Sequence, residues 1–214
     1  MNRRAFLLGS LALASCAPGS WSTHLPTGPL MPEGKPVGTP FYWQSFVRRY
    51  PDQESVARGE LLPLTHVTHE QLYRTNAFWN TRMDFRHEDI ERFDCFRRSD
   101  MGRIPVRGDC EDFALSKRAE LRTIYPTYVG CFRLAICAPY GKARRRLLNG
   151  HLKALADPLH AVLTVDTTGG TVVLDMRGAW DSTSRPYNYA DQEYQWLQRE
   201  RDAAGWVSIT GEKA

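Results

Sequence analysis

The chain of 214 residues contains no run of ~20 apolar residues, so no transmembrane helix is expected. It has little excess charge of either sign: 28 Lys and Arg against 24 Asp and Glu give a formal +4. If Arg3 and Arg4 leave with a signal segment, 26 basic residues remain against the same 24 acids, a net +2. Phosphate tracking needs a concentrated basic face, so this balance argues against a dedicated nucleic-acid binder. Sixteen Gly and 13 Pro are too few for a collagenous or low-complexity chain, and 42% hydrophobic content is too high for wholesale disorder. No two of the five cysteines stand in a CxxC pair, which argues against a zinc knuckle. One ordinary globular core is the default for this length.

What is present begins with an address. Met1 to Ser15 reads MNRRAFLLGSLALAS, two arginines followed by an apolar stretch and small residues, the layout of a secretory signal. Leu13-Ala14-Ser15-Cys16 closes the 1–16 signal segment and resembles a bacterial lipobox, which implies lipidation at Cys16 and removal of everything before it. The alternative is cleavage by an ordinary signal peptidase. The Arg-Arg-Ala-Phe-Leu-Leu run also resembles a twin-arginine signal, so the export route stays open. Residues 17–40, rich in Pro, Gly, Ser and Thr, read as a flexible tether, and 41–214 as the folded domain. The expected location is the periplasm, on a membrane-anchored lipoprotein. There, a disulfide is allowed for Cys95, Cys110, Cys131 and Cys137, but Cys131 and Cys137, six apart on an expected strand, sit ~20 Å apart and cannot join.

Helical spacing of Leu72, Asn76, Trp79 and Met83 predicts a helix opening at Thr68, with Thr68 as cap and Gln71 as its box partner. Asp109 opens a second helix running to about Tyr125 before Pro126, with Cys110, Phe113, Ala114, Leu121 and Ile124 on its apolar stripe. Tyr128 to Ala138 reads as a strand. Residues 160–166 and 171–177 flank Thr167-Thr168-Gly169-Gly170, which is hairpin chemistry. A two- or four-residue loop there puts His160 and Asp175 on one face within diagonal reach, whereas a three-residue loop separates them.

A cysteine in the first turn of a helix has its thiolate stabilised by free N–H groups and the helix dipole. A histidine can take its proton, and an acid behind the histidine fixes the tautomer. Cys110, His160 and Asp175 supply those parts in the order helix, strand, strand. Spacing alone does not decide it, because a lone cysteine on an apolar stripe is more often core.

GDCEDFALSKRAEL at 108–121, HAVLTVDT at 160–167, VVLDM at 172–176 and GWVSI at 205–209 resemble the bacterial transglutaminase-like cysteine proteinases, the LapG-like periplasmic proteases. The resemblance covers roughly residues 68–210, with the motifs in the family's order. It implies an α+β fold with a papain/transglutaminase-like core, the nucleophile helix packed on an antiparallel sheet. It also implies Cys110 as nucleophile, His160 as general base and Asp175 as orienting acid. Asn76 and Asn80 match the family's paired asparagines, with a structural role expected toward the loop before Cys110. The chain departs from the family in lacking a tryptophan between Met101 and Arg107, in carrying Met176 after the acid, and in a long insertion around Lys142 to Arg146.

Three acids crowd Cys110: Asp109, Glu111 and Asp112. Their charge would raise the thiol's pKa against the dipole, so a counter-ion is expected. The resemblance implies calcium on Asp109 and Glu111, with Asp112 a further candidate ligand. The plain alternative is that Asp109 caps the helix and the other two complement its dipole. His66, His69 and Glu70 form HxxHE, which lacks the HExxH order and is a weak metal candidate. Lys142 to Arg146 reads as a solvated loop, and Phe41, Tyr42, Trp43 and Phe46 as core.

The reading is therefore an exported cysteine endopeptidase that cuts a cell-envelope or surface protein, adhesin-like by resemblance, through an acyl-enzyme. Two alternatives stand beside it. One is an acyl transferase of transglutaminase type, and the other a non-catalytic envelope-binding module on the same fold. The expected partners are a protein substrate and the membrane through a lipid anchor. Oligomeric state is left open.

Overall fold

The computed structural model describes residues 24–86, 92–102, 106–139, 159–176, 185–190, 194–203 and 205–209. The signal segment, Cys16, the Lys142 to Arg146 insertion and Arg177 lie outside the described residues. Among the described residues, three helices, α1 (Trp43–Arg49), α2 (His66–Arg82) and α3 (Cys110–Ile124), accompany nine strands. The strands are β1 (Pro36–Val37), β2 (Asp84–Phe85), β3 (Arg107–Gly108), β4 (Phe132–Pro139), β5 (His160–Thr167), β6 (Gly170–Leu174), β7 (Tyr187–Asn188), β8 (Tyr194–Asp202) and β9 (Gly205–Ser208). Seven of them form one sheet in the order β1-β9-β8-β4-β5-β6-β7, every neighbouring pair antiparallel. This is the α+β arrangement expected, with α3 lying across the centre of the sheet.

The alternation of β5 and β6 explains that packing. Ala161, Leu163 and Val165 together with Val172 and Leu174 turn toward α3, where Ala114, Leu115 and Leu121 complete the main core. Each such fully buried aliphatic side chain contributes roughly 1.5–3 kcal/mol. On the opposite face Val162 and Val173 pack with Ala135, Cys137, Tyr187, Tyr194 and Met31. α2 closes the assembly from the side, with Trp79 and Met83 against Phe113 and Met176. Among the described residues, no helix is long and apolar enough to cross a membrane.

Several expectations change. α2 begins at His66, and its cap is Thr65, whose Oγ1 accepts from the Thr68 N–H at 3.1 Å; Thr68 sits inside the first turn. The chain from Pro126 to Cys131 is a 3-10 turn, so the strand starts only at Phe132. Proline at the start fixes φ for that turn, and a side chain at Gly130 would meet the Ala57 carbonyl oxygen at 2.3 Å. Residues 24–40, read from composition as tether, lie against the sheet: Met31 is buried, its N–H bonds Thr171 Oγ1 at 2.8 Å, and β1 pairs with β9. The segment is anchored by backbone pairing, which composition does not register.

Of the early aromatics, Trp43 and Phe46 join the core, and Trp43 meets Trp206 edge-on at 5.5 Å, whereas Phe41 is exposed. Ile124, placed on the stripe of α3, is also exposed. Conversely α3 buries its polar side: Ser116, Lys117 and Arg118 are inaccessible. Arg118 is neutralised by Glu200 at 2.8 Å, a pairing across 82 positions that no local pattern announces. Cys95, Cys110, Cys131 and Cys137 are all free thiols.

Candidate active site

The hairpin decides whether His160 and Asp175 meet. Thr167 pairs with Gly170, which leaves the two-residue loop Thr168-Gly169. Residues of opposite parity then share a face. Leu163 faces Leu174, so His160 at the head of β5 stands diagonal to Asp175, the residue just past the end of β6. His160 Nε2 lies 2.9 Å from Asp175 Oδ1, with both side chains buried. An ionised carboxylate only accepts, so Nε2 carries the proton and Nδ1 is left with its lone pair free to act as a base.

Asp175 is held from other sides by groups that sequence reasoning missed. The Tyr194 hydroxyl donates to Oδ2 at 2.6 Å and the Tyr187 hydroxyl to the same oxygen at 3.0 Å. The Tyr194 ring also stacks on His160, with centroids 5.6 Å apart and planes at 31°. From α2, Asn80 Nδ2 donates to the Asp175 carbonyl at 2.8 Å, and Asn76 is buried one turn earlier. The asparagine pair was legible as a pair. Tyr187 and Tyr194 carried no local signal, because they come from strands after the hairpin.

Cys110 is the first residue of α3, whose cap is Asp109. The approach to it is tight. β2 and β3 run parallel, joining the end of α2 to the residues before the cysteine. A Cβ at Gly108 would meet Asp112 Oδ2 at 2.4 Å and Met83 Cε at 2.5 Å, so glycine is needed there. The Cys110 sulfur accepts from the Ala161 N–H at 3.3 Å, which fixes it one residue along the backbone from His160. Its thiol donates to Glu111 Oε2, also at 3.3 Å. Among the described residues no hydrogen bond joins the ring to the sulfur. The structure thus brings His160 and Asp175 into contact and sets Cys110 beside their strand, with the thiol turned toward Glu111.

That orientation has an electrostatic consequence. Loss of water around the sulfur, then the carboxylates of Glu111 and Asp109, push the Cys110 thiol well above its ordinary value, and the Ala161 N–H opposes them only in part. The cysteine rests as a thiol in this arrangement. The other thiols are also raised: burial takes Cys95 up to about 12, and burial again, with Asp175 second, takes Cys137 well above the usual range.

Asp109, Glu111 and Asp112 are all buried, and each offers a carboxylate oxygen within 4.8 Å of the others. They are not equivalent. Asp112 accepts from the Asp94 N–H at 2.7 Å through Oδ1 and from the Asp109 N–H at 3.3 Å through Oδ2, so it acts as the return arm of a capping box. Asp109 Oδ1 is buried with no hydrogen-bond partner, an orphaned acceptor aimed into an anionic cluster. Hard oxygen donors without protons of their own fit a hard cation, so Asp109 and Glu111 are suited to calcium and Asp112 less so. His66 and His69 lie in the first turn of α2 and belong to no such cluster among the described residues.

The chain is similar to LapG of Legionella pneumophila. Its calcium-bound structure aligns with 71% of this chain and 75% of its own, at 20% identity and a TM-score of 0.44. The EGTA-treated LapG gives 71% and 72%, 19% identity and 0.44. A third LapG structure gives 67% and 70%, 20% and 0.42. No protein-family model and no curated protein matches the chain. A likeness to LapG this distant assigns no residue a role, and the site is read from its own geometry.

Proposed function

We propose that the protein is a cysteine endopeptidase in which Cys110 is the nucleophile, His160 the base and Asp175 the group that orients it. One observation carries the reading: the His160–Asp175 hydrogen bond at 2.9 Å stands beside the Ala161 N–H that binds the Cys110 sulfur. A binding module needs none of these three groups, least of all a histidine and an acid buried and in register.

His160 Nδ1 takes the thiol proton, and the thiolate attacks the peptide carbonyl, forming the C–S bond. Collapse of that adduct breaks the C–N bond as the imidazolium hands its proton to the leaving amine. Water, deprotonated by the same nitrogen, then cleaves the thioester and restores the thiol. The Cys110 N–H, at the first position of α3 and with no intrahelical acceptor, would donate to the developing oxyanion. Asp109 and Glu111 would hold calcium, whose two positive charges offset the carboxylate field that keeps the thiol protonated. An exported enzyme of this kind would act on a cell-envelope or surface protein at an exposed, flexible segment. Cys16 would carry the lipid that keeps it at the membrane.

Iodoacetamide labelling at neutral pH with calcium present tests the assignment. Cys110 is expected to react much faster than Cys95, Cys131 or Cys137, and His160→Ala to slow it. Equal labelling of all four would favour the binding module. Release of an amine product without uptake of an added amine separates hydrolysis from acyl transfer.

A further inference from the structure

Asp175 is the most heavily coordinated side chain of the site, and the coordination is uneven. Oδ1 meets His160 Nε2 at 2.9 Å, whereas Oδ2 takes two phenol hydroxyls, Tyr194 at 2.6 Å and Tyr187 at 3.0 Å. Both tyrosines are buried, and they come from β8 and β7, strands that do not neighbour each other in the sheet. Orienting the carboxylate would need one donor on Oδ2; a second adds control of its charge. Every hydroxyl that donates to Oδ2 draws electron density from Oδ1, and so weakens the hold of Oδ1 on the imidazole N–H.

We propose that Tyr187 and Tyr194 are positioning residues that set how strongly Asp175 grips His160, and through it the basicity of His160 Nδ1. This rests on the catalytic reading of Cys110, His160 and Asp175. Other groups among the described residues also bear on the carboxylate. Lys117 on α3 attracts it without a hydrogen bond, and Cys137 on β4 stands nearby as a thiol held up by burial. Asn80 on α2 bonds the carbonyl of Asp175. Neither Lys117 nor Cys137 replaces a lost hydroxyl. Tyr194 matters more than Tyr187, because its bond is shorter and its ring also fixes the plane of the imidazole.

The test uses the low-field proton resonance of the His160 Nε2–H in the full-length protein, assigned by its loss in His160→Ala. Tyr194→Phe is expected to move that resonance downfield, because Oδ1 regains charge, and, because the imidazole then becomes more basic, to speed Cys110 alkylation by iodoacetamide about tenfold at neutral pH. Tyr187→Phe should move both in the same direction by less. Tyr189→Phe is the control, since its hydroxyl bonds the Leu30 carbonyl away from the site. If Tyr194→Phe fails to fold, Tyr187→Phe alone decides. An unmoved resonance in a folded tyrosine variant overturns the proposal, and so does a moved resonance with unchanged alkylation. Absence of preferential Cys110 labelling in the wild type, with the resonance present, overturns the catalytic reading and leaves the clamp without a reaction to serve.

Discussion

Lys117 is the most exposed test of the physical reasoning, because its environment is so poor. Its amine is fully buried on α3, donates to no hydrogen-bond partner among the described residues, and lies near the Phe113 ring at 5.8 Å. Burial lowers its pKa from 10.5 to about 7, against the weaker opposing pull of Asp175. Between those two values the unfolded chain holds a proton that the folded chain has released. Stability of the wild type therefore rises with pH across that window by about 1.4 kcal/mol per unit, and is flat below and above it. The full penalty, felt at and below pH 7, is about 5 kcal/mol. Lys117→Met keeps length and packing and removes the ionisable group. It should raise the stability of the protein at pH 7 by roughly 3–5 kcal/mol, a gain that shrinks steadily and is mostly gone by about pH 10. Urea unfolding followed by tryptophan fluorescence at a series of pH values measures it. A gain independent of pH, or a variant less stable than wild type at pH 7, would refute the argument.

Other expectations follow from named contacts. Glu200→Ala strands the Arg118 guanidinium in the core and removes the acceptor for the Leu134 N–H, so it should cost about 3–5 kcal/mol in chemical denaturation. Gly108→Ala forces a methyl into Asp112 and Met83, and thermal melts should show a loss of roughly 1–3 kcal/mol with weaker calcium binding. Calcium should raise the melting temperature of the wild type and a chelator lower it, and Asp109→Asn should abolish the response; a melting temperature indifferent to both would remove the cation from the site. Because carboxylates and burial raise the Cys110 thiol, its alkylation in chelator should climb steeply above neutral pH, and calcium should move that rise to lower pH. A profile unchanged by calcium would count against the coupling.

Much of the fold could be read before any coordinates, and for identifiable reasons. The second helix is bounded by a carboxylate cap and a proline, both local signals, and α3 indeed runs from Cys110 to Ile124. The hairpin was fixed by its glycines and by strict alternation, so the parity that joins His160 to Asp175 could be stated as a condition on loop length. The start of α2 was misplaced by one cap because Thr65 and Thr68 compete, and only the Thr65 hydroxyl points at a free N–H.

Local chemistry therefore determined which residues could form the proposed site: a cysteine at a helix start, a histidine and an acid on one hairpin, and three carboxylates beside the sulfur. Tertiary structure decided their condition. It set the thiol against Glu111, placed two tyrosines from later strands on Asp175, drew residues 24–40 onto the sheet and buried Lys117 and Arg118 inside what reads as an amphipathic helix. Spacing along a chain specifies neighbours within a turn or a hairpin. The charge state of a buried group depends on everything that displaces water from it, and those atoms arrive from distant parts of the sequence.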